Sequence, residues 1–248
     1  MNKFLSILVI LIFTFCDKEV RAPKAAVVSA RIEASKIGAE ILEQGGTAFD
    51  AMIATNFALA VCFPNAGNIS GGGFMVYRKN NGEIGSIDYR EMAPNKAYEK
   101  MFQNEFGEVL PEKSTKGGLS VGVPGTVAGL FEIHRKFGTL PMKDLIKPSI
   151  DLATKGFVVT EGQKSSLESK RLEFIEVNGE ETFFARKIKK GDTIKNIAFA
   201  NALKLISEKG EKAFYEGAIA KSMVEEIKEA VAGLGSEQKL TVTAVAKA

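Results

Sequence analysis

Few residues in this chain offer a starting point for chemistry. His134 is the sole histidine, so no histidine-based triad, dyad or multi-histidine metal site can be built. A hydrogen-bonded or solvated imidazole is the expectation for it. The two cysteines, Cys16 and Cys62, form no Cys-x-x-Cys pair, and the carboxylates fall into no metal-loop pattern, so no cofactor is expected. Arg90 differs from these, because it follows a Gly-rich turn and an alternating apolar stretch within residues 64–94. A planar guanidinium donates two parallel hydrogen bonds that match the two oxygens of a carboxylate, so an arginine placed there can grip an anionic substrate. The other use open to it is an ion pair with its neighbours Asp88 or Glu91, and residue type alone favours that use.

The elements that must position Arg90 are readable on either side. Gly71, Gly72 and Gly73 carry no Cβ, so the backbone there can turn left-handed or come very close to another backbone or a ligand. Phe74 to Tyr77 and Ile84 to Ile87 read as strands, and Asn80-Asn81-Gly82 between them suits a tight hairpin turn. The second strand then delivers Arg90 to its exit. The glycines match no phosphate cradle: no Gly-Lys-Ser/Thr follows them, and no G-x-G-x-x-G stands between a strand and a helix.

At 248 residues, 45% hydrophobic and 25% charged, the chain can bury a sizeable core as one large domain or two small ones. A net charge of +3 with scattered lysines gives no reason to expect nucleic acid, and Lys187, Lys189 and Lys190 read as a solvated turn. Met1-Asn2-Lys3 and the apolar run Phe4 to Phe15, followed by Asp17-Lys18-Glu19, have the layout of a secretory signal too short to span a bilayer. Export is expected, to the periplasm or to a membrane anchor in preference to the medium. Cys16 stands where a bacterial lipoprotein is lipidated, yet Phe15 before it is larger than such a cleavage site takes, so a lipid anchor at Cys16 and a simple cleavage both stay open. Cys62, in an apolar helix, reads as a buried and inert thiol.

Taken in order, Ala25 to Ala30 reads as a short buried strand, and Ile32 to Gln44 as a helix stopped by Gly45-Gly46. Thr47 and Asp50 form a capping box for a second helix, apolar all round and ended by Pro64, which belongs in a core. Residues 96–106 read as a loop with a short helix. Thr126 to Lys136 and Met142 to Lys155 read as helices stopped by Gly138 and Gly156, with Pro141 at a first turn. Ile197 to Glu208 and Ala218 to Ala230 read as two amphipathic helices, followed by Gly210 and Gly233.

Gly71-Gly72-Gly73-Phe74-Met75 with Asp88-Tyr89-Arg90-Glu91-Met92-Ala93-Pro94 resembles the large subunit of the γ-glutamyltranspeptidases, or glutathione hydrolases. The resemblance continues collinearly from about Ala25 to Glu229. It takes in Gly45-Gly46-Thr47-Ala48-Phe49-Asp50-Ala51, Val123-Pro124-Gly125-Thr126-Val127-Ala128-Gly129-Leu130, Lys136-Phe137-Gly138-Thr139-Leu140-Pro141, Gly156-Phe157-Val158-Val159, Lys190-Gly191-Asp192-Thr193 and Phe214-Tyr215-Glu216-Gly217-Ala218-Ile219-Ala220.

The resemblance implies an α+β fold, the αββα four-layer sandwich of the N-terminal-nucleophile hydrolases, incomplete in this chain. Together with the signal read above, it divides the chain into a signal peptide and short linker at 1–22, the front part of the large subunit at 23–230 and a divergent tail at 231–248. It implies cleavage of γ-glutamyl amides, glutathione and its conjugates among them, with transfer of the glutamyl group to water or to an amino-acid or peptide acceptor. In such enzymes a precursor cuts itself to free a threonine at the start of the small subunit, and that threonine is nucleophile and base together. Thr115, Thr126, Thr139, Thr154, Thr160, Thr193, Thr241 and Thr243 are all internal and none sits in the family's nucleophile motif. The rest of the large subunit and the partner small subunit from the same precursor are therefore expected to be absent, leaving a truncated, inactive form. Arg90 is the one site residue carried over, matching the arginine that holds the substrate's α-carboxylate. Two other classes stay open: an exported protein that binds glutamyl compounds through Arg90 without turnover, and an inert remnant.

Overall fold

A computed structural model describes residues 24–179 and 182–232; the expected signal with Cys16 and the tail from residue 233 lie outside them. Two helices start the fold. In α1 (Ile32–Glu43) the stripe Ala34, Ile37, Gly38 and Ile41 is buried, the i, i+3, i+4, i+7 spacing of a helix lying on a core. Its partner is α2 (Ala48–Cys62), which is buried over most of its circumference, with Ile53, Ala54, Phe57 and Ala58 fully removed from solvent and a half-buried stripe at Met52, Asn56 and Leu59. The expected capping box opens α2: the Thr47 hydroxyl accepts from the Asp50 amide, and the Asp50 carboxylate accepts from the Thr47 amide at 2.8 Å.

Around α2 pack α3 (Thr126–Phe137), α4 (Met142–Lys155) and, beyond α4, α6 (Ile197–Lys209). Val127, Leu130, Ile133, Leu145, Ile146, Leu203 and Ile206 complete the core from these helices. Between α4 and α6 run β3 (Phe157–Val158), α5 (Glu161–Asn178) and β4 (Thr193–Ile194), and the two short strands pair antiparallel. The short α7 (Lys212–Tyr215) and the longer α8 (Ala218–Ala232) end the described chain. Among the described residues no helix is long and apolar enough to cross a membrane.

The predicted hairpin forms from β1 (Phe74–Arg78) and β2 (Ile84–Asp88), with Phe74 opposite Asp88 and Arg78 opposite Ile84. Gly82, at φ 89°, takes the left-handed turn conformation that a Cβ would oppose. Strand alternation sends Met75, Tyr77 and Ile87 inward, where Tyr77 packs on Phe49 and Phe137. Phe74, Val76 and Ile84 point the other way and stay 62%, 79% and 70% exposed.

Two expectations need correction, and one helix is added to them. Residues 25–30 form no strand: no described segment pairs with them, and Val28 is 94% exposed. Residues 96–106 form turns and an isolated bridge from Gln103 to Val109 instead of a short helix. There Asn104 Oδ1 accepts from the amides of Phe106 and Glu108, a local alternative to helical bonding. Helix α5 escaped the sequence reading altogether. It is polar around most of its circumference, so apolar periodicity is faint, and its Thr160–Gln163 capping box and the bond from Gln163 Nε2 to the Cys62 carbonyl (2.7 Å) hold it.

Asp50 ties the start of α2 to the far end of α3. Its carboxylate accepts from the Thr139 amide (3.0 Å) and the Thr139 hydroxyl (2.7 Å) as well as from Thr47. Burial pushes this carboxyl up, but the hydrogen bonds from Thr139 and Thr47 outweigh it and hold the group below its ordinary 3.8. A carboxyl whose folded pKa is depressed stabilises the fold fully above the unfolded value and loses that contribution as pH falls through the folded one. Asp50→Asn is therefore expected to cost about 1–3 kcal/mol at pH 7 by urea unfolding, with the difference from the parent narrowing below about pH 4.

Candidate functional site

Arg90 sits where three segments meet, and the first of them is the loop after α2. Asn68 Oδ1 accepts from the Gly71 amide (2.7 Å) and from the Thr126 hydroxyl (3.0 Å), which fastens the Gly-rich run to the start of α3. The Gly71 carbonyl in turn accepts from the amides of Gly125 (2.7 Å) and Thr126 (2.9 Å). Gly73 and Tyr89 then exchange amide and carbonyl, extending the hairpin ladder by one pair beyond Phe74 and Asp88. Met92 and Val123 exchange a second such pair at 3.1 and 2.7 Å. Residues 89–92 are thus strung between residues 71–73 on one side and 122–125 on the other.

That threading requires the glycines. A Cβ on Gly72 would stand 2.6 Å from Arg90 Cα and from the Glu91 nitrogen, and one on Gly73 would stand 2.8 Å from the Tyr89 ring. A Cβ on Gly125 would meet the carbonyl oxygens of Tyr89 and Arg90, and one on Gly129 would enter the Tyr89 ring. Neither Gly72 nor Gly73 has a positive φ. Of the two uses that the sequence left open for the run, close approach is the one realised.

Strand alternation now fixes the two side chains. Tyr89 turns inward between Gly73 and Gly129, where burial raises its phenol above the usual range. Arg90 turns outward with Asp88 and Phe74, its guanidinium carbon 5.7 Å from the Phe74 ring centroid. The alternative of an ion pair with Asp88 or Glu91 is not realised: Asp88 Oδ1 accepts from the Arg90 backbone amide at 2.9 Å, and the guanidinium forms no ion pair with a described carboxylate. A cavity of about 230 Å³ beside it is lined by Tyr89, Arg90, Pro124, Gly129, Glu132 and Tyr215 among others.

The other reactive residue types are engaged elsewhere. His134 Nε2 is 2.7 Å from the Leu140 carbonyl, and since a carbonyl only accepts, this nitrogen carries the proton. Cys62 is fully buried, and desolvation pushes its thiol up to about 11, which keeps it protonated and unreactive. The hydroxyls of Thr55, Thr115, Thr126, Thr139 and Thr154 all donate to backbone or side-chain oxygens within the fold. Among the described residues no group of three His, Cys, Asp or Glu side chains could hold a metal ion. A second cavity of about 260 Å³, bordered by Phe157, Phe183, Phe184 and Phe199, has no titratable side chain in its lining.

The family model described as Gamma-glutamyltranspeptidase matches residues 34–241. The chain is 39% identical over 212 residues to the glutathione hydrolase proenzyme of Escherichia coli K12, covering 84% of this chain and 37% of that protein. Among solved structures, it superposes on the γ-glutamyltranspeptidase of Helicobacter pylori with a TM-score of 0.84 at 36% identity, covering 91% of this chain and 64% of that one. The γ-glutamyltranspeptidase of Pseudomonas nitroreducens complexed with L-DON gives 0.79 at 37% identity, with 90% and 64% covered. The chain therefore spans well under half the length of the curated relative, and the expected α+β fold of the N-terminal-nucleophile hydrolases is present in part. Of its sandwich, the described residues hold two two-stranded ribbons and their helices.

The glycine slot is open to direct measurement. Gly72→Ala places a methyl against backbone that has no side chain to rotate away, and is expected to cost about 1–3 kcal/mol in urea unfolding. Gly162→Ala, where nothing lies within 4 Å of the added carbon in the first turn of α5, is expected to be neutral or slightly stabilising in the same measurement.

Proposed function

The chain belongs to the γ-glutamyltranspeptidase family, and from that footing we propose that it provides the carboxylate-gripping arm of an enzyme that cleaves γ-glutamyl amides such as glutathione. The observation that carries the reading is Arg90 itself: its backbone is clamped from both sides while its fork faces outward, engaged by no described carboxylate. From a backbone held that way the fork can present two parallel donors, which suits the α-carboxylate of a glutamyl group.

In this reading the bond-making residue lies outside these 248 positions. A threonine hydroxyl attacks the γ-carbonyl carbon, the amide nitrogen leaves with a proton as the free amine, and an acyl-enzyme remains. Water or an acceptor amine then attacks the same carbon and restores the hydroxyl. Arg90 takes no part in proton transfer. Its contribution is to hold the glutamyl group so that the γ-carbonyl is presented at one place. The outward face of the hairpin fits this arrangement, because Phe74, Val76 and Ile84 form an exposed apolar strip beside Arg90 that a partner subunit from the same precursor would cover. Covering it would recover about 25 cal/mol for each Å² of apolar surface removed from water.

Export completes the proposal. The basic start and apolar run at 1–15 carry the chain out of the cytoplasm and are removed, which mass spectrometry of the mature N-terminus tests. Intact Met1 on a cytoplasmic protein would refute it, and a diacylated Cys16 would identify a lipoprotein.

The functional test has two arms. In a preparation containing this chain that releases product from a γ-glutamyl anilide, Arg90→Lys keeps the charge but loses the two-pronged geometry. KM for the donor should rise by the equivalent of about 1.5–3 kcal/mol. An unchanged KM would sink the assignment. The 248 residues alone are expected to show no release above a mock purification; binding of a γ-glutamyl compound without release would instead favour a binding role.

A further inference from the structure

Helix α3 begins without a local cap. The residue before its first turn is Gly125, which has no side chain to accept from the free amides there. It has none for a reason already apparent: a Cβ at Gly125 would strike the carbonyl oxygens of Tyr89 and Arg90. The slot around Arg90 and a serine, threonine or aspartate cap on α3 exclude each other at this one position.

Remote groups take over the capping. The Gly71 carbonyl accepts from Gly125 and Thr126, and the phenol of Tyr215 takes the Ala128 amide. Tyr215 Oη accepts from the Ala128 amide at 3.0 Å and donates to the Pro124 carbonyl at 3.0 Å, so one oxygen spans the turn on both sides of Gly125. Burial pushes this phenol up to about 12, so it keeps its proton, and with it the bond to Pro124, throughout the neutral range. The ring is braced edge-on against Phe214, 4.9 Å between centroids.

We propose that Tyr215 is a positioning residue for Arg90, acting through the Pro124–Gly125 turn that its phenol holds against the backbone of residues 89 and 90. This rests on the reading that Arg90 grips the substrate's carboxylate. The phenol's single proton is committed to Pro124, so its effect passes through the backbone. Without it the turn loses its outer support, and the bearing of the guanidinium is no longer set from that side.

The test compares Tyr215→Phe, Arg90→Lys and the double variant in the active preparation, at a temperature where circular dichroism shows all three folded. Tyr215→Phe deletes one oxygen and leaves the ring stacking intact. KM for the γ-glutamyl donor should rise about 3- to 10-fold, the range that loss of one or two neutral hydrogen bonds covers, with kcat falling less than KM rises. The double variant should show a KM within about twofold of Arg90→Lys alone, because Tyr215 acts only by way of Arg90. An unchanged KM in Tyr215→Phe beside a raised one in Arg90→Lys overturns the inference and leaves the role of Arg90 standing. Fully multiplicative effects overturn it too, placing the influence of Tyr215 elsewhere. A Tyr215→Phe protein folded at no temperature makes the residue a plain core element, with the same consequence. No change in Arg90→Lys brings down the underlying reading instead.

Discussion

A side chain can be aimed from its backbone only if that backbone is prevented from rocking, and here two other stretches of main chain press on it directly. Four positions, Gly72, Gly73, Gly125 and Gly129, surround Tyr89 and Arg90 at distances that no Cβ permits. Each glycine in ordered structure costs roughly 0.5–1 kcal/mol of extra chain entropy relative to alanine. The cost is met in part by the ladder bonds Gly73–Tyr89 and Met92–Val123, which close approach makes available. Local stability is given up so that one residue has a fixed bearing.

The helices give that slot its walls. α2 and α3 are fastened to one another at both ends: Asp50, in the first turn of α2, accepts from Thr139 just past the end of α3, and Asn68, beyond α2, accepts from Thr126 at the start of α3. Two antiparallel rods pinned top and bottom cannot slide, so residues 71–73 and 122–125 keep a constant separation. The buried faces of Ile53, Phe57, Leu130 and Ile133 supply the cohesion, while the two polar ties set the register. A buried carboxylate is tolerated in this role because its oxygens are met by amides and hydroxyls from both helices.

What was legible in the sequence was local. The hairpin followed from alternation around Asn80-Asn81-Gly82, and the start of α2 from the spacing of Thr47 and Asp50, while the register of the strands did not. Family resemblance carried Arg90, but neither motif nor spacing shows which of Asp88, Glu91 or the open face it addresses; that depends on Asp88 turning back onto the Arg90 amide. The meaning of the glycine run was half visible, since φ freedom and close approach look identical until the facing backbone is known. Residues 25–30 misled because an apolar run implies a strand only if a neighbour exists to pair with it. Tyr215 was invisible as a cap. Nothing in a tyrosine within a four-residue helix announces that its hydroxyl closes a turn 87 to 91 positions upstream.

That long reach also has a consequence in time. A ribosome adds about 5–20 residues per second, so roughly 4 to 17 s separate the emergence of Ala128 from that of Tyr215. Throughout that interval the hairpin, the glycine run and α3 can all be present, each with its local bonds made, while the turn at Gly125 waits for its outer brace. Contacts of such high sequence separation form late and carry the larger share of the loop-closure cost. Wherever folding takes place, the turn at Gly125 has its outer brace only once the last short helix docks.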